Sequence, residues 1–164
     1  MSIEFPLLEK RTHLGVIPDP KIDILILEKS GYAPYRFLLD TGADCTMMPS
    51  SAAEDLDIDL NRCPIDRSYG IEGNGVKVYI SQITAKIGDY ELTIKCLFSE
   101  KETTPYLLGR IDIFSHFNIT FDNEQKKIIL TPILIDHVNP AFEVGLNTVR
   151  NDLESMIIIT PLRG

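Results

Sequence analysis

The chain has 164 residues, 44% of them apolar and 24% charged, with a net charge of −8. That length suits one domain with an appendage, and the apolar share is enough for a packed core. The acidic balance argues against nucleic acid or an anionic membrane as a partner, since either calls for a basic face. Cys45, Cys63 and Cys96 are odd in number and widely spaced, with no Cys-x-x-Cys. They read as buried or idle thiols in a reducing compartment, not as a zinc site or disulfide scaffold. His13, His116 and His137 lie apart from one another and from the cysteines, so neither a metal nor another cofactor is expected. The N-terminus lacks the pattern of a signal peptide, and no apolar run approaches the roughly 20 residues that span a bilayer. A soluble, cytoplasmic protein is the expectation.

In chain order, residues 3–8 read as a short first strand, with Pro6 pointing to a sheet edge. Pro18 and Pro20 mark a turn. Ile22 to Leu27 is a β-branched, apolar strand; Lys29 to Pro34 reads as a loop; Tyr35 to Leu39 returns as the next strand. That strand runs into Asp40-Thr41-Gly42-Ala43-Asp44, so a carboxylate sits at the inner end of an apolar run, in a turn that glycine lets fold tightly.

Thr46-Met47-Met48 then forms a short strand closed by Pro49. Ser51-Ala52-Ala53-Glu54 has the spacing of a capping box, which predicts a short helix from Ser51. Gly70, Gly73 and Gly75 fall within six residues before Val76 to Ile80, the pattern of a glycine-rich hairpin tip and its returning strand. Tyr90 to Phe98 alternates cleanly and places Cys96 on the apolar face. Tyr106-Leu107-Leu108-Gly109 is a second apolar run ending on glycine. The spacing after it predicts a helix over 110–117, with Ile111 and Phe114 inward. Ile119 to Phe121 and Lys127 to Leu130 complete about nine strands and two short helices, a mainly-β domain of barrel or sandwich type. Beyond Pro132 the character changes: a helix starting near Asn139-Pro140 and a strand at Ile157-Ile158-Ile159 are rival readings.

A carboxylate at a strand end is a structural cap, a metal ligand or an acid/base. The absence of a neighbouring His or Cys cluster disfavours a metal. The acid/base role needs a partner carboxylate, and the chain has a single Asp-Thr-Gly.

Leu38-Leu39-Asp40-Thr41-Gly42-Ala43-Asp44 resembles the active-site segment of the retroviral-type aspartic proteases, the retropepsins. The similarity continues in the hairpin Gly70–Gly75, placed where that family has its flap, and in Leu107-Leu108-Gly109-Arg110, which resembles its second hallmark segment. The resemblance implies a mainly-β, closed barrel-like half with one or two short helices, assembling as a two-fold homodimer. It spans residues 1–130 and leaves 131–164 as a C-terminal extension.

By similarity, Asp40, Thr41 and Gly42 are catalytic. Gly42, Ala43, Asp44, Gly70, Ile71 and Gly73 contact substrate, while Leu108, Gly109 and Arg110 support the site. Arg110 is expected to pair with Asp44 in a buried or half-buried contact. The implied activity is an aspartic endopeptidase acting on peptides or proteins, without cofactor. The alternative is a dimeric peptide-binding or scaffold module with little hydrolysis.

Overall fold

The computed structural model describes residues 1–70 and 73–133. Twelve strands follow in order: β1 Ile3–Pro6, β2 Leu8–Thr12, β3 Gly15–Asp19, β4 Lys21–Glu28, β5 Gly31–Leu39, β6 Thr46–Pro49, β7 Ile65–Ser68, β8 Val76–Ile87, β9 Tyr90–Ser99, β10 Leu107–Leu108, β11 Phe117–Asp122 and β12 Lys127–Pro132. Two short 3-10 helices, Ser50–Ala53 and Leu60–Arg62, are the helical elements among the described residues.

The main sheet runs β4-β5-β10-β6-β9-β8-β7. A further pairing of β4 with β8, Leu25 opposite Lys86 and Ile26 opposite Ala85, closes it on itself. Closure removes the free edges that an open sheet leaves unpaired. β7 stays outside the ring, paired only with β8 from Ile65↔Tyr79 to Ser68↔Val76. Inside lie Ile22, Ile24, Ile26, Phe37, Ile83, Ala85, Ile94, Cys96, Phe98 and Leu108, all nearly inaccessible. They recur at every second position of their strands, the period that sends alternate side chains to one face.

A second sheet of three strands, β1-β12-β11, packs Ile128 and Leu130 into the same core. β12 is its centre, paired on one side with β1 (Ile3↔Leu130) and on the other with β11 (Ile119↔Leu130). Pro6 does lie on an edge strand, β1.

Several local expectations are corrected. The first strand, expected over 3–8, breaks at Leu7, and residues 8–19 form a separate hairpin, β2–β3, in which Pro18 lies within a strand opposite Glu9 instead of marking a turn. The loop foreseen over 29–34 shrinks to Lys29-Ser30, because Gly31 takes a φ of 118° and starts β5 at once.

The helix from Ser51 is a four-residue 3-10 turn whose first helical residue is Ser50. No capping box forms; Glu102 instead accepts from the Ser50 hydroxyl at 2.8 Å and the Ser51 amide at 3.2 Å. The helix over 110–117 is absent. Asp112 adopts a φ of 66°, which breaks helical propagation and leaves two successive turns, Phe114 N–H to Arg110 carbonyl and Phe117 N–H to Ile113 carbonyl. Ile113 and Phe117 are therefore the buried residues of this segment, with Phe114 packed partly buried against the core, while Ile111 is 40% exposed. Both readings of the tail after Pro132 lie outside the described residues.

Candidate active site

Strand β5 delivers Asp40 because its apolar residues are gripped from both flanks. Leu38 N–H donates to the Tyr106 carbonyl at 2.9 Å, Leu39 N–H to the Pro20 carbonyl at 2.9 Å, and Asp40 N–H to the Leu108 carbonyl at 3.1 Å. The chain then turns through Thr41 to Cys45 and returns as β6, with β10 slotted between the two strands. β10 runs parallel to β5 (Leu107↔Leu38, Leu108↔Leu39) and antiparallel to β6 (Leu107↔Met47). The two hallmark segments, some 65 residues apart in sequence, thus share one patch of sheet.

Within the turn, the Asp40 carboxylate accepts from the Gly42 amide at 2.9 Å, and Ala43 N–H donates back to the Asp40 carbonyl at 3.2 Å. A Cβ on Gly42 would stand 3.3 Å from that same carboxylate oxygen, so glycine keeps the approach to the acid open. Asp40 is half-buried, whereas Thr41 and Gly42 are exposed. Across the junction, Arg110 N–H donates to the Ala43 carbonyl at 3.0 Å and Ile111 N–H to the Asp44 carbonyl at 2.9 Å. Asp44 and Arg110 also form an ion pair, but it is solvent-exposed instead of half-buried.

Gly109 lies at the tightest point. A Cβ there would fall 2.3 Å from the Cys45 carbonyl carbon and 2.5 Å from its oxygen. Its N–H donates to the buried Thr46 hydroxyl at 3.2 Å. Thr46, through which the resemblance runs, is given no role by the sequence; its one signal in the residues themselves is a hydroxyl in an otherwise apolar strand. Asp112 reads from sequence only as a departure from the viral pattern, where Asn is more frequent. Its carboxylate accepts from the Lys95 amide at 2.9 Å, while the Cys45 thiol donates to the Lys95 carbonyl at 3.3 Å. Burial, reinforced by nearby Asp112, pushes the Cys45 thiol up to about 11, and burial also raises Cys96. Neither thiol is poised as a nucleophile, which must be a thiolate.

The glycine-rich hairpin extends β7 and β8. Gly70 and Gly73 are exposed, and Gly73 N–H donates to the Gly70 carbonyl at 3.1 Å. Ile71 lies outside the described residues. Arg67 donates to the Gly75 carbonyl at 3.2 Å, and a Cβ on Gly75 would strike the Tyr69 ring at 2.7 Å. Among the described residues there is no group of three or more His, Cys, Asp or Glu arranged to hold a metal, and no helix long and apolar enough to cross a membrane.

A closed barrel with a protruding hairpin, and two loop segments interlocked around a strand-end aspartate, define the retropepsin-like fold. The chain is similar to the crystal structure of a retropepsin-like aspartic protease from Rickettsia conorii, at 20% identity over 79% of this chain and 90% of that one, with a TM-score of 0.53. It is also matched by EIAV protease complexed with the inhibitor HBY-793, at 23% identity over 56% of this chain and 82% of that one, with a TM-score of 0.43. No curated protein sequence matches the chain. Residues 25–110 match the family model described as aspartyl protease; with more than half its length so matched, the chain belongs to the aspartyl protease family.

Proposed function

We propose that the chain is one subunit of a homodimeric aspartic endopeptidase, with residues 1–130 as the protease domain and 131–164 as a C-terminal extension. The observation that carries this reading is the single Asp-Thr-Gly, held at a barrel rim with its carboxylate fixed by Gly42 and open to one side. A two-fold axis supplies the missing acid by bringing a second Asp40 to the first. Two carboxylates roughly 3 Å apart cannot both ionise cheaply, so they share a proton. The ionised member draws a proton from bound water as it attacks the scissile carbonyl, and the protonated member donates to the carbonyl oxygen. Thr41, exposed beside Asp40, bonds across the axis and stiffens the paired loops.

The substrate lies extended over Gly42, Ala43 and Asp44, with the β7–β8 hairpin and its Gly70, Ile71 and Gly73 closing above it. Leu38, Leu107 and Met47 face one another across three strands and remain half-buried, while Leu39, Leu108 and Met48 are fully buried. Alternation places Leu38 on the side of Asp40, so this row offers an apolar wall for substrate side chains. Leu108, Gly109 and Arg110 act as support. No cofactor is required, and the cytoplasm is the compartment that suits the three free thiols.

Asp40→Asn tests the assignment. The variant is expected to fold, to keep binding peptides, and to lose cleavage by at least about 10³-fold; cleavage at the wild-type rate would sink the reading. Peptide binding without turnover by the wild type, from about pH 3 to 8, would instead assign the scaffold role.

A further inference from the structure

The hairpin β2–β3 belongs to neither sheet that forms the core; among the described residues its two strands pair only with each other. A lone two-stranded hairpin is marginal in water, yet this one is built with care at both ends. At its tip the Thr12 hydroxyl donates to the Gly15 carbonyl at 3.0 Å and accepts from Leu14 N–H at 3.1 Å. At its root Leu7 is buried, and its N–H donates to the Lys126 carbonyl at 2.9 Å. Glu9 pairs with Lys126 at 3.3 Å and Asp19 with Lys21 at 3.0 Å. Pro20, the next residue, accepts from Leu39, one position before Asp40. The arm therefore springs from between the strand that carries the catalytic acid and the turn joining β11 to β12.

Its outer part is left uncovered. Leu14 is 84% exposed, Val16 54% and Ile17 45%. The root has its acids paired, but Lys10 and Arg11 have no acidic partner within ion-pairing distance among the described residues. An apolar tip with two unpaired cations, on a chain of net charge −8, is complementary to the surface of that same chain.

We infer that the β2–β3 hairpin is a clasp whose tip, Leu14 leading, inserts into the second copy of this chain, with Val16 beside Arg11 on one face of the ribbon and Ile17 beside Lys10 on the other. The inference rests on the homodimeric reading and adds to it a contact specific to this protein. Two-fold symmetry makes the contact reciprocal, so each substitution acts twice per dimer. The rooting of the arm beside Asp40 couples this grip to the meeting of the two acids.

The test is sedimentation of the full chain over a concentration series, for wild type and two variants. One carries Leu14→Ser, Val16→Thr and Ile17→Thr; the other carries Lys10→Glu and Arg11→Glu. Both are expected to keep the wild-type circular dichroism spectrum and to raise the dimer dissociation constant by about tenfold or more. Added salt should weaken the wild-type dimer more than that of the charge variant. If the apolar variant misfolds, the charge variant alone carries the result, since its two side chains are exposed and, among the described residues, without an acidic partner. Wild-type dissociation constants in folded variants would overturn the inference, as would a raised KM with unchanged dimerisation, which would make the hairpin a substrate contact. A wild type that stays monomeric at every concentration while cleaving peptide overturns the homodimeric reading and the clasp together.

Discussion

A methyl group at position 109 would have to occupy the space of the Cys45 backbone. Backbone cannot swing aside as a side-chain end can, so Gly109→Ala must push apart the two segments that frame Asp40. We expect a loss of about 3 kcal/mol, measurable by urea unfolding. Gly70→Ala, where nothing lies within 4 Å of the added carbon, should stay within about 0.5 kcal/mol of wild type. The Asp44–Arg110 ion pair makes a different forecast, because both side chains are largely in water. Arg110→Ala should cost under about 1 kcal/mol in stability, since the Arg110 backbone bond to Ala43 survives it. A fall in kcat/KM far beyond that loss would show that the side chain positions Asp44 for substrate. At this scale the sequence was informative where a residue type is dictated by geometry: Asp40, Gly42, Gly109 and Arg110 occur in short patterns that permit few substitutes. The roles of Thr46 and Asp112 were illegible because each acts through one bond to a backbone N–H distant in sequence, at Gly109 and Lys95.

Among the elements, the β4–β5 hairpin sets the height of Asp40, and a polar strut braces it. Tyr35 donates to Glu28 at 2.5 Å and meets Tyr106 edge to face, with ring centroids 5.8 Å apart. Burial first, then the bond to Glu28, raises the Tyr35 phenol well above its ordinary range. A group protonated more tightly in the folded state contributes fully below its unfolded pKa, about 10 for tyrosine, and loses that contribution as the pH rises further. Tyr35→Phe should therefore cost about 1 kcal/mol near neutrality, and denaturation curves of the two proteins should converge above about pH 10. Strands with strict alternation, such as β9, were readable from sequence. The hairpin β2–β3 was not, because Val16 and Ile17 face solvent and break the rule that apolar runs mark the core. The helix over 110–117 failed for a conformational reason: one left-handed residue, Asp112, cannot be seen in spacing, and it turns Ile113 inward where Ile111 was expected.

For the molecule as a whole, closure of the barrel by β4 and β8 is a contact between distant strands, and no local pattern encodes it. What sequence carried was the order of three segments, from which a resemblance to the retropepsins supplied the architecture. The consequence of β12 having both flanks occupied within its own chain concerns dilution. A subunit whose termini must exchange with a partner before its last sheet exists has no folded solitary form. Here β12 is flanked by β1 and β11 of its own chain among the described residues, so the subunit can persist as a folded, idle half. In the proposed dimer, activity should then vanish on dilution in proportion to dimer lost, while far-ultraviolet circular dichroism holds its native value. Loss of both signals together would contradict this. A protease of this design would be silent when scarce and switched on by its own abundance.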